Sequence, residues 1–320
     1  MKTKTLTPDA SGVSEAAALL ADGGLVALPT ETVYGLAADA RQGQAVASIY
    51  AAKGRPSFNP LIVHVASARD AQQYGVWNAW AEHLASAFWP GPLTLVLPLR
   101  EGHGLASIVT AGLETVALRC PAHPVAQALL CAFNGPLAAP SANPSGKISP
   151  TRVAHVLAGL DGQVNAVLDG GAAEIGLEST IVGLAGDTPV LLRHGSLTRS
   201  QLEAALGEPL GVSTTPAAVS APGQLASHYA PEAALRLNVA TPAPDETLLG
   251  FGNVSCALNL SPASDMREAA ANLFDMLRQL DETADKIAVS PIPETGIGIA
   301  INDRLKRAAA PRSSGMPSIG

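Results

Sequence analysis

The sequence predicts a two-domain α/β protein, and three observations carry that expectation. With 320 residues, 47% hydrophobic and 15% charged, the chain is long enough for two packed cores and too apolar to remain unfolded. Ala-rich helical stretches alternate with short β-branched or Leu-rich runs, without any fixed repeat. From about Gly207 the composition turns to small and breaking residues (Pro209, Ser213, Thr214, Thr215, Pro216, Ser220, Pro222, Gly223), which marks a linker. The expected division is a first domain over 1–207, a linker over 208–234 and a second domain over 235–320.

In chain order, 13–21 reads as a helix ended by Gly23 and Gly24, and 25–28 as a buried strand stopped by Pro29. A second helix spans 44–52. Strands follow at 61–65, 93–97, 115–119, 137–139, 166–168, 181–184 and 190–192, with helices near 79–88, 124–133, 151–158 and 198–206. This order leaves strand direction open. Past the linker, 247–251 and 256–260 read as strands, and Met266, Ala269, Ala270, Leu273, Phe274, Leu277 and Leu280 form one apolar helical face. A strand at 287–289 and a helix at 297–308 complete a β, α, β, α order, which predicts a small parallel, Rossmann-like unit with a right-handed crossover. No Gly-x-Gly-x-x-Gly follows a strand, so no dinucleotide is assigned to it.

Composition also excludes function classes. A net charge of −7 argues against broad electrostatic capture of nucleic acid or of an anionic membrane, so strong direct nucleic-acid binding is not expected. The first eight residues lack an apolar signal region and no stretch approaches the roughly 20 apolar residues of a membrane helix, which predicts a cytoplasmic protein. Cys120, Cys131 and Cys256 share no short spacing and read as buried thiols in a reducing compartment. The histidines form no metal signature.

Four segments put polar groups at the ends of apolar strands, where a scaffold presents them in a cleft. Pro29-Thr30-Glu31-Thr32-Val33-Tyr34-Gly35-Leu36 is a hydroxyl-rich turn suited to a small zwitterion, or an ordinary turn. Lys53-Gly54-Arg55-Pro56-Ser57-Phe58-Asn59-Pro60 sets two cations on a Gly/Pro-rich loop, which suits a polyphosphate, and His64 follows on the next strand. Ser141-Ala142-Asn143 lies between Pro140 and Pro144 and reads either as a ligand loop or as a rigid loop capping its own backbone. Ser179 and Arg193 lie at the ends of what read as neighbouring strands.

The wording and order of these four segments resemble the YrdC-like threonylcarbamoyl-adenylate synthase family. The resemblance covers about 8–206 and extends through Ser227-His228-Tyr229-Ala230-Pro231 to the Gly296–Leu305 run, which makes it the long, two-domain form. It implies a twisted, open mixed sheet around a positively charged cavity, plus a smaller Rossmann-like parallel domain. The family's Lys-x-Arg and Ser-x-Asn motif is matched by Lys53, Arg55, Ser141 and Asn143. The resemblance implies that L-threonine is held by Thr32, His64, Arg119 and Ser179, and ATP by Arg55, Asn59, Thr115, Ser141, Ser149, Arg193 and Tyr229. Two places depart from the family: Ala139 stands where a hydroxyl is usual, and 223–228 lacks a Lys-Tyr pair.

The implied activity is a nucleotidyltransferase reaction. L-Threonine, bicarbonate or CO2, and ATP carrying Mg²⁺ give threonylcarbamoyl-AMP and pyrophosphate, and a downstream tRNA-threonylcarbamoyl transferase complex modifies the adenosine beside the anticodon. No protein nucleophile and no resident metal is required. YrdC-like domains also occur in hydrogenase-maturation proteins, but the zinc-finger and acylphosphatase segments of those proteins are not found here. An RNA-binding module fits poorly with the acidic balance and 4% aromatic content, and no Gly-x-Ser-x-Gly elbow of a serine hydrolase is present.

Overall fold

A computed structural model describes residues 2–212 and 228–311. Linker residues 213–227, including Pro222, Gly223 and most of the 223–228 departure, lie outside the described residues. The strands of the first domain are β1 Lys4–Leu6, β2 Val26–Leu28, β3 Gly35–Asp39, β4 Ile62–His64, β5 Leu93–Pro98, β6 Thr115–Arg119, β7 Leu137–Ala138, β8 Ala166–Leu168, β9 Thr180–Gly183, β10 Val190–Arg193 and β11 Gly211–Val212. Its helices are α1 Ala10–Ala21, α2 Gly43–Lys53, α3 Ala68–Ala71, α4 Ala79–Phe88, α5 Ser107–Thr110, α6 Pro124–Phe133, α7 Val153–Leu160 and α8 Arg199–Leu206.

Among the described residues these strands form one open sheet of eleven, in the order β1-β8-β2-β3-β7-β4-β6-β5-β9-β10-β11. It is mixed: β4 runs parallel to β6 and β5 parallel to β9, while β3 with β7 and β5 with β6 are antiparallel. Alternation along the strands divides the two faces. Val63, Leu95, Leu118 and Val182 enter the main helix-covered core, whereas Ile62, Val96, Ala117 and Ile181 form a small apolar patch on the other face. His64, Thr94 and Arg119 share that second face by the same alternation.

The helices end where local chemistry dictates. Asn78 caps α4 by accepting from the Ala81 amide, and Thr198 with Gln201 forms a full capping box at α8. Helix α2 stops at Gly54, whose φ of 59° is left-handed, so Lys53 and Arg55 leave the turn in different directions.

The second domain contains β12 Ala234–Arg236, β13 Thr247–Gly250, β14 Leu258–Asn259 and β15 Lys286–Val289, with α9 Met266–Asp281 and α10 Gly298–Ala308. Its sheet order is β12-β15-β13-β14, and every pair is parallel. The apolar face read for α9 is buried except at Met266, which is half-buried. Its core does not stop at the domain border, because Val33, Ile148 and Leu177 of the first domain join the cluster built from Tyr229, Leu273, Phe274, Ile301 and Leu305.

Several elements differ from the sequence expectation. Gly35–Asp39 is a fully buried strand where the reading placed a turn running to Leu36, because its Gly-Leu-Ala-Ala-Asp run offers no β-branched signal and is fixed by pairing on both edges. Strands β1 and β12 are mostly exposed and carry no apolar run to mark them in the sequence. The large sheet takes in Gly211–Val212, beyond the expected boundary at 207. Of the three cysteines only Cys120 is buried, while Cys131, on the outer side of α6, is exposed.

Candidate active site

Register builds the site. His64 and Thr94 both pair with Arg119 across neighbouring strands, and Thr94 Oγ1 lies 2.7 Å from Ser179 Oγ. Ser179 is held in turn by Arg193, whose Nε donates to the Ser179 carbonyl at 3.0 Å and whose Nη2 donates to its hydroxyl at 3.1 Å. On the other side, Gly35 forms a bridge with Ser141, bringing the Pro29–Tyr34 turn against the Ser-x-Asn loop. A row of polar side chains therefore crosses the second face of the sheet, and a cavity lies over it. Thr32, Arg55, His64, Arg119, Ser179 and Arg193 line that cavity, together with Ala139 and Ser141. Glu178, His228 and Tyr229 close it from the side of the second domain. Its free volume is about 50 Å³.

Five of the residues singled out by sequence do not line the cavity: Lys53, Asn59, Thr115, Asn143 and Ser149. Lys53 lies behind the wall, where its Nζ donates to the Ser141 carbonyl at 2.5 Å and also to the Asn143 carbonyl. It clamps the Ser-x-Asn loop instead of facing the cavity. Burial drives its ammonium well below the usual lysine value, and the Arg55 charge adds to this. Asn143 donates to the Pro144 and Lys147 carbonyls, tightening the same loop. Asn59 is buried with neither side-chain amide atom partnered, and Thr115 stands at the far end of β6 from Arg119. Ser149 donates to Glu178 at 2.5 Å.

Two acidic residues matter that the sequence reading did not assign. Glu31 accepts from Arg119 Nη2 at 2.7 Å and from the Ala122 amide at 3.1 Å, which fixes the buried guanidinium and leaves Arg119 Nε without a partner. Glu178 meets Ser149 and Arg304. The signal for Glu31 was its place between Thr30 and Thr32 at a strand end; nothing local pointed to Arg304.

The electrostatics are those of a dry, cationic pocket. Burial brings the Arg55 and Arg193 guanidinium groups down to about 10, so both stay charged at neutral pH. His64 is pushed down to about 3 by burial and then by Arg119, and its Nδ1 has no partner. A neutral imidazole of that kind offers a hydrogen bond rather than a resting place for a proton.

Burial also lowers His228 to about 3 and His155, beside Arg278, to about 4. Folded, these three histidines stay neutral where an unfolded chain, near 6.5, takes up protons. Their contribution is intact above pH 6.5 and is lost as pH falls toward 4. Each costs about 1.4 kcal/mol per pH unit over that window. Urea unfolding is therefore expected to show a clearly lower midpoint at pH 5.5 than at pH 7.5, and equal midpoints would contradict the burial of these rings.

Comparison with known proteins identifies the family and the fold. A Sua5/YciO/YrdC family model described as telomere recombination matches 18–195, and one described as the threonylcarbamoyl-AMP synthase C-terminal domain matches 197–310. The threonylcarbamoyl-AMP synthase of Bacillus subtilis (strain 168) is 42% identical over 335 aligned residues, covering 97% of this chain and 96% of its own. That of Pyrococcus abyssi (strain GE5 / Orsay) is 39% identical over 323, covering 93% and 94%. The crystal structure of P. abyssi Sua5 complexed with L-threonine superposes with a TM-score of 0.88 at 37% identity, covering 97% of this chain and 98% of that one. The chain belongs to the threonylcarbamoyl-AMP synthase family, in the form that carries the C-terminal domain.

Proposed function

We infer that this chain converts L-threonine, bicarbonate or CO2, and ATP to threonylcarbamoyl-AMP and pyrophosphate, supplying the N6-threonylcarbamoyladenosine modification of tRNA. The observation that carries the reading is the row from His64 through Arg119 to Ser179 and Arg193, with Arg55 beside it. It sets one guanidinium near the zwitterion end of the cavity and two more where a polyphosphate would lie.

In this reading the threonine carboxylate meets Arg119 at the unpartnered Nε, with Thr32, His64 and Ser179 around the amine and hydroxyl. A threonine-bound structure of the similar Sua5 supports a threonine site in this fold. The amine attacks the CO2 carbon and loses a proton, giving a carbamate. A carbamate oxygen then attacks the α-phosphorus, the bond to the bridging oxygen breaks, and pyrophosphate leaves. The carbamate, ATP and pyrophosphate are all anionic, so the work of the protein is to gather cations, orient and exclude water. Arg55, Ser141 and Arg193 serve the phosphates from the wall, whereas Lys53, Asn143 and Ser149 serve by holding that wall in shape. Asn59 and Thr115, which do not line the cavity, are assigned to ATP by the family resemblance alone.

Mg²⁺ arrives as part of the nucleotide substrate and is held by its phosphate oxygens. The labile product is passed in the cytoplasm to a tRNA-threonylcarbamoyl transferase complex. The net charge of −7 supports transfer of the adenylate over direct capture of tRNA. None of the described helices is long and apolar enough to cross a membrane.

The direct test is pyrophosphate release that requires threonine, bicarbonate and ATP together, with threonylcarbamoyl-AMP identified by mass. Release without threonine would overturn the reading. Arg119→Ala is expected to raise the threonine KM by roughly 10- to 100-fold, the loss of a charge-assisted contact, with little change in ATP binding. Calorimetry showing intact threonine affinity and lost ATP affinity would reverse the assigned role.

A further inference from the structure

Arg304 is the first-domain cavity's link to the body of the second domain. It sits on α10, its side chain is 1% exposed, and it leaves its own domain to enter the floor of the other. Its Nε donates to Glu178 Oε2 at 3.0 Å and its Nη1 to the His194 carbonyl at 2.7 Å and to Asp303 at 3.1 Å. Its guanidinium carbon lies 5.7 Å from the centre of the Tyr229 ring. Glu178, the carboxylate it meets, forms part of the wall of a cavity that otherwise presents arginines.

An anion in the wall of a pocket for anionic substrates is a liability unless something neutralises it away from the substrate. Glu178 is buried, and burial alone would raise its carboxyl. The cations Arg304 and Arg193, with the Ser149 hydroxyl, outweigh that and keep it ionised. Arg304 touches it from outside the cavity lining, and Arg193, which lines the cavity with it, acts on it through its charge. Each unit of Glu178 charge compensated by Arg304 is charge that does not draw on Arg193. A buried carboxylate stripped of one cation leans on the other.

We propose that Arg304, supplied by the second domain, is a positioning residue for the nucleotide end of the site: it neutralises Glu178 from behind and so keeps that carboxylate from competing with substrate phosphates for Arg193. The proposal rests on the reading that Arg193 faces ATP. It gives the second domain a direct part in the chemistry of the first, through charge rather than through contact with substrate. The alternative is that Arg304 merely pins the domains together.

The two differ in what substitution of Glu178 does. Arg304→Gln is expected to weaken binding of a non-hydrolysable ATP analogue, measured by calorimetry on the full chain, by roughly 10- to 100-fold. Adding Glu178→Gln removes the uncompensated anion, so the Arg304→Gln/Glu178→Gln chain is expected to recover most of that affinity. Arg304→Lys, which keeps the charge but not the fork, is expected to lie between Arg304→Gln and the parent. Glu178→Gln alone separates the two: a pinning role predicts weaker analogue binding, since it strands the buried Arg304 and loosens the junction, whereas the proposal predicts affinity equal to or above the parent's, because the competing anion is gone. Analogue affinity of a folded Arg304→Gln chain within about twofold of the parent overturns the proposal, as does a double variant no tighter than the single. If Arg304→Gln fails to fold, Glu178→Gln decides alone: analogue binding equal to or tighter than the parent's supports the proposal, and binding weaker by more than about twofold overturns it. Because the readout is analogue binding without threonine, it stands apart from the synthase assay: a parent chain that binds the analogue but makes no threonylcarbamoyl-AMP would sink the functional reading alone.

Discussion

Lys53→Met is expected to reduce threonine-dependent pyrophosphate release by roughly 100-fold or more, because a loop displaced by about an ångström loses that much orientation. The reason is the position of the ammonium rather than its charge toward phosphate. Lys53 Nζ satisfies the carbonyls of Ser141 and Asn143, and Ser141 forms the cavity wall. Methionine keeps the aliphatic stem but leaves two buried carbonyls without their donor, which costs about 1–3 kcal/mol for each. The same substitution is therefore expected to lower the urea midpoint visibly. Arg55→Ala provides the contrast: its guanidinium lines the cavity and donates to the Asn59 and Pro60 carbonyls of its own loop, at 3.3 and 3.0 Å. It should lose ATP affinity with a smaller stability penalty. Normal turnover in a folded Lys53→Met chain would remove this loop from the mechanism.

That contrast also shows where the sequence stops being informative. The Lys-x-Arg spacing is visible in the chain, and so is Gly54 between them. What turns Lys53 inward and Arg55 toward the cavity is the left-handed φ of 59° at Gly54 together with strands 80 residues or more away, which no local pattern encodes. The helices at Ala79–Phe88 and Pro124–Phe133 and the strands at Thr115–Arg119 and Ala166–Leu168 were legible to the residue, because a cap at Asn78, a proline at the first turn and sharp apolar runs fix their ends. Gly35–Asp39 was not, since burial on both faces and pairing with β2 and β7 override weak propensity. Within the site, the residues that line the cavity were readable as polar groups at strand ends. The carboxylates Glu31 and Glu178 and the buried Arg304 were not, because each acts by pairing with a residue more than 80 positions distant.

The second large effect is expected at Tyr229. Its ring is 1% exposed, stacks on Phe274 of α9 at 5.4 Å between centroids, and meets His228 edge-on at 4.1 Å. Its backbone holds a left-handed φ of 63°, an uncommon conformation for a side chain of this size. The following residue is tied to the first domain by a hydrogen bond from the Ala230 amide to the Gly146 carbonyl at 2.9 Å. With His228 and Tyr229 in place, the cavity's 50 Å³ falls well short of the roughly 300–1,000 Å³ of ordinary ligand pockets. We propose that these two residues swing aside to admit ATP and threonine and that their return shuts water away from the carbamate. Tyr229→Ala is expected to raise the ATP KM by roughly 10-fold or more and to shift product from threonylcarbamoyl-AMP toward AMP, as water reaches the mixed anhydride. A chain ending at residue 207 is a harsher form of the same experiment. It would bare Val33, Ile148 and Leu177 and leave Glu178 without Arg304, so it is expected to lose stability as well as turnover. The discriminating measurement is the ratio of threonylcarbamoyl-AMP to AMP in the full chain and in Tyr229→Ala under the same conditions: matching rates and ratios would mean that Tyr229 only packs between the domains and that closure plays no part in protecting the carbamate.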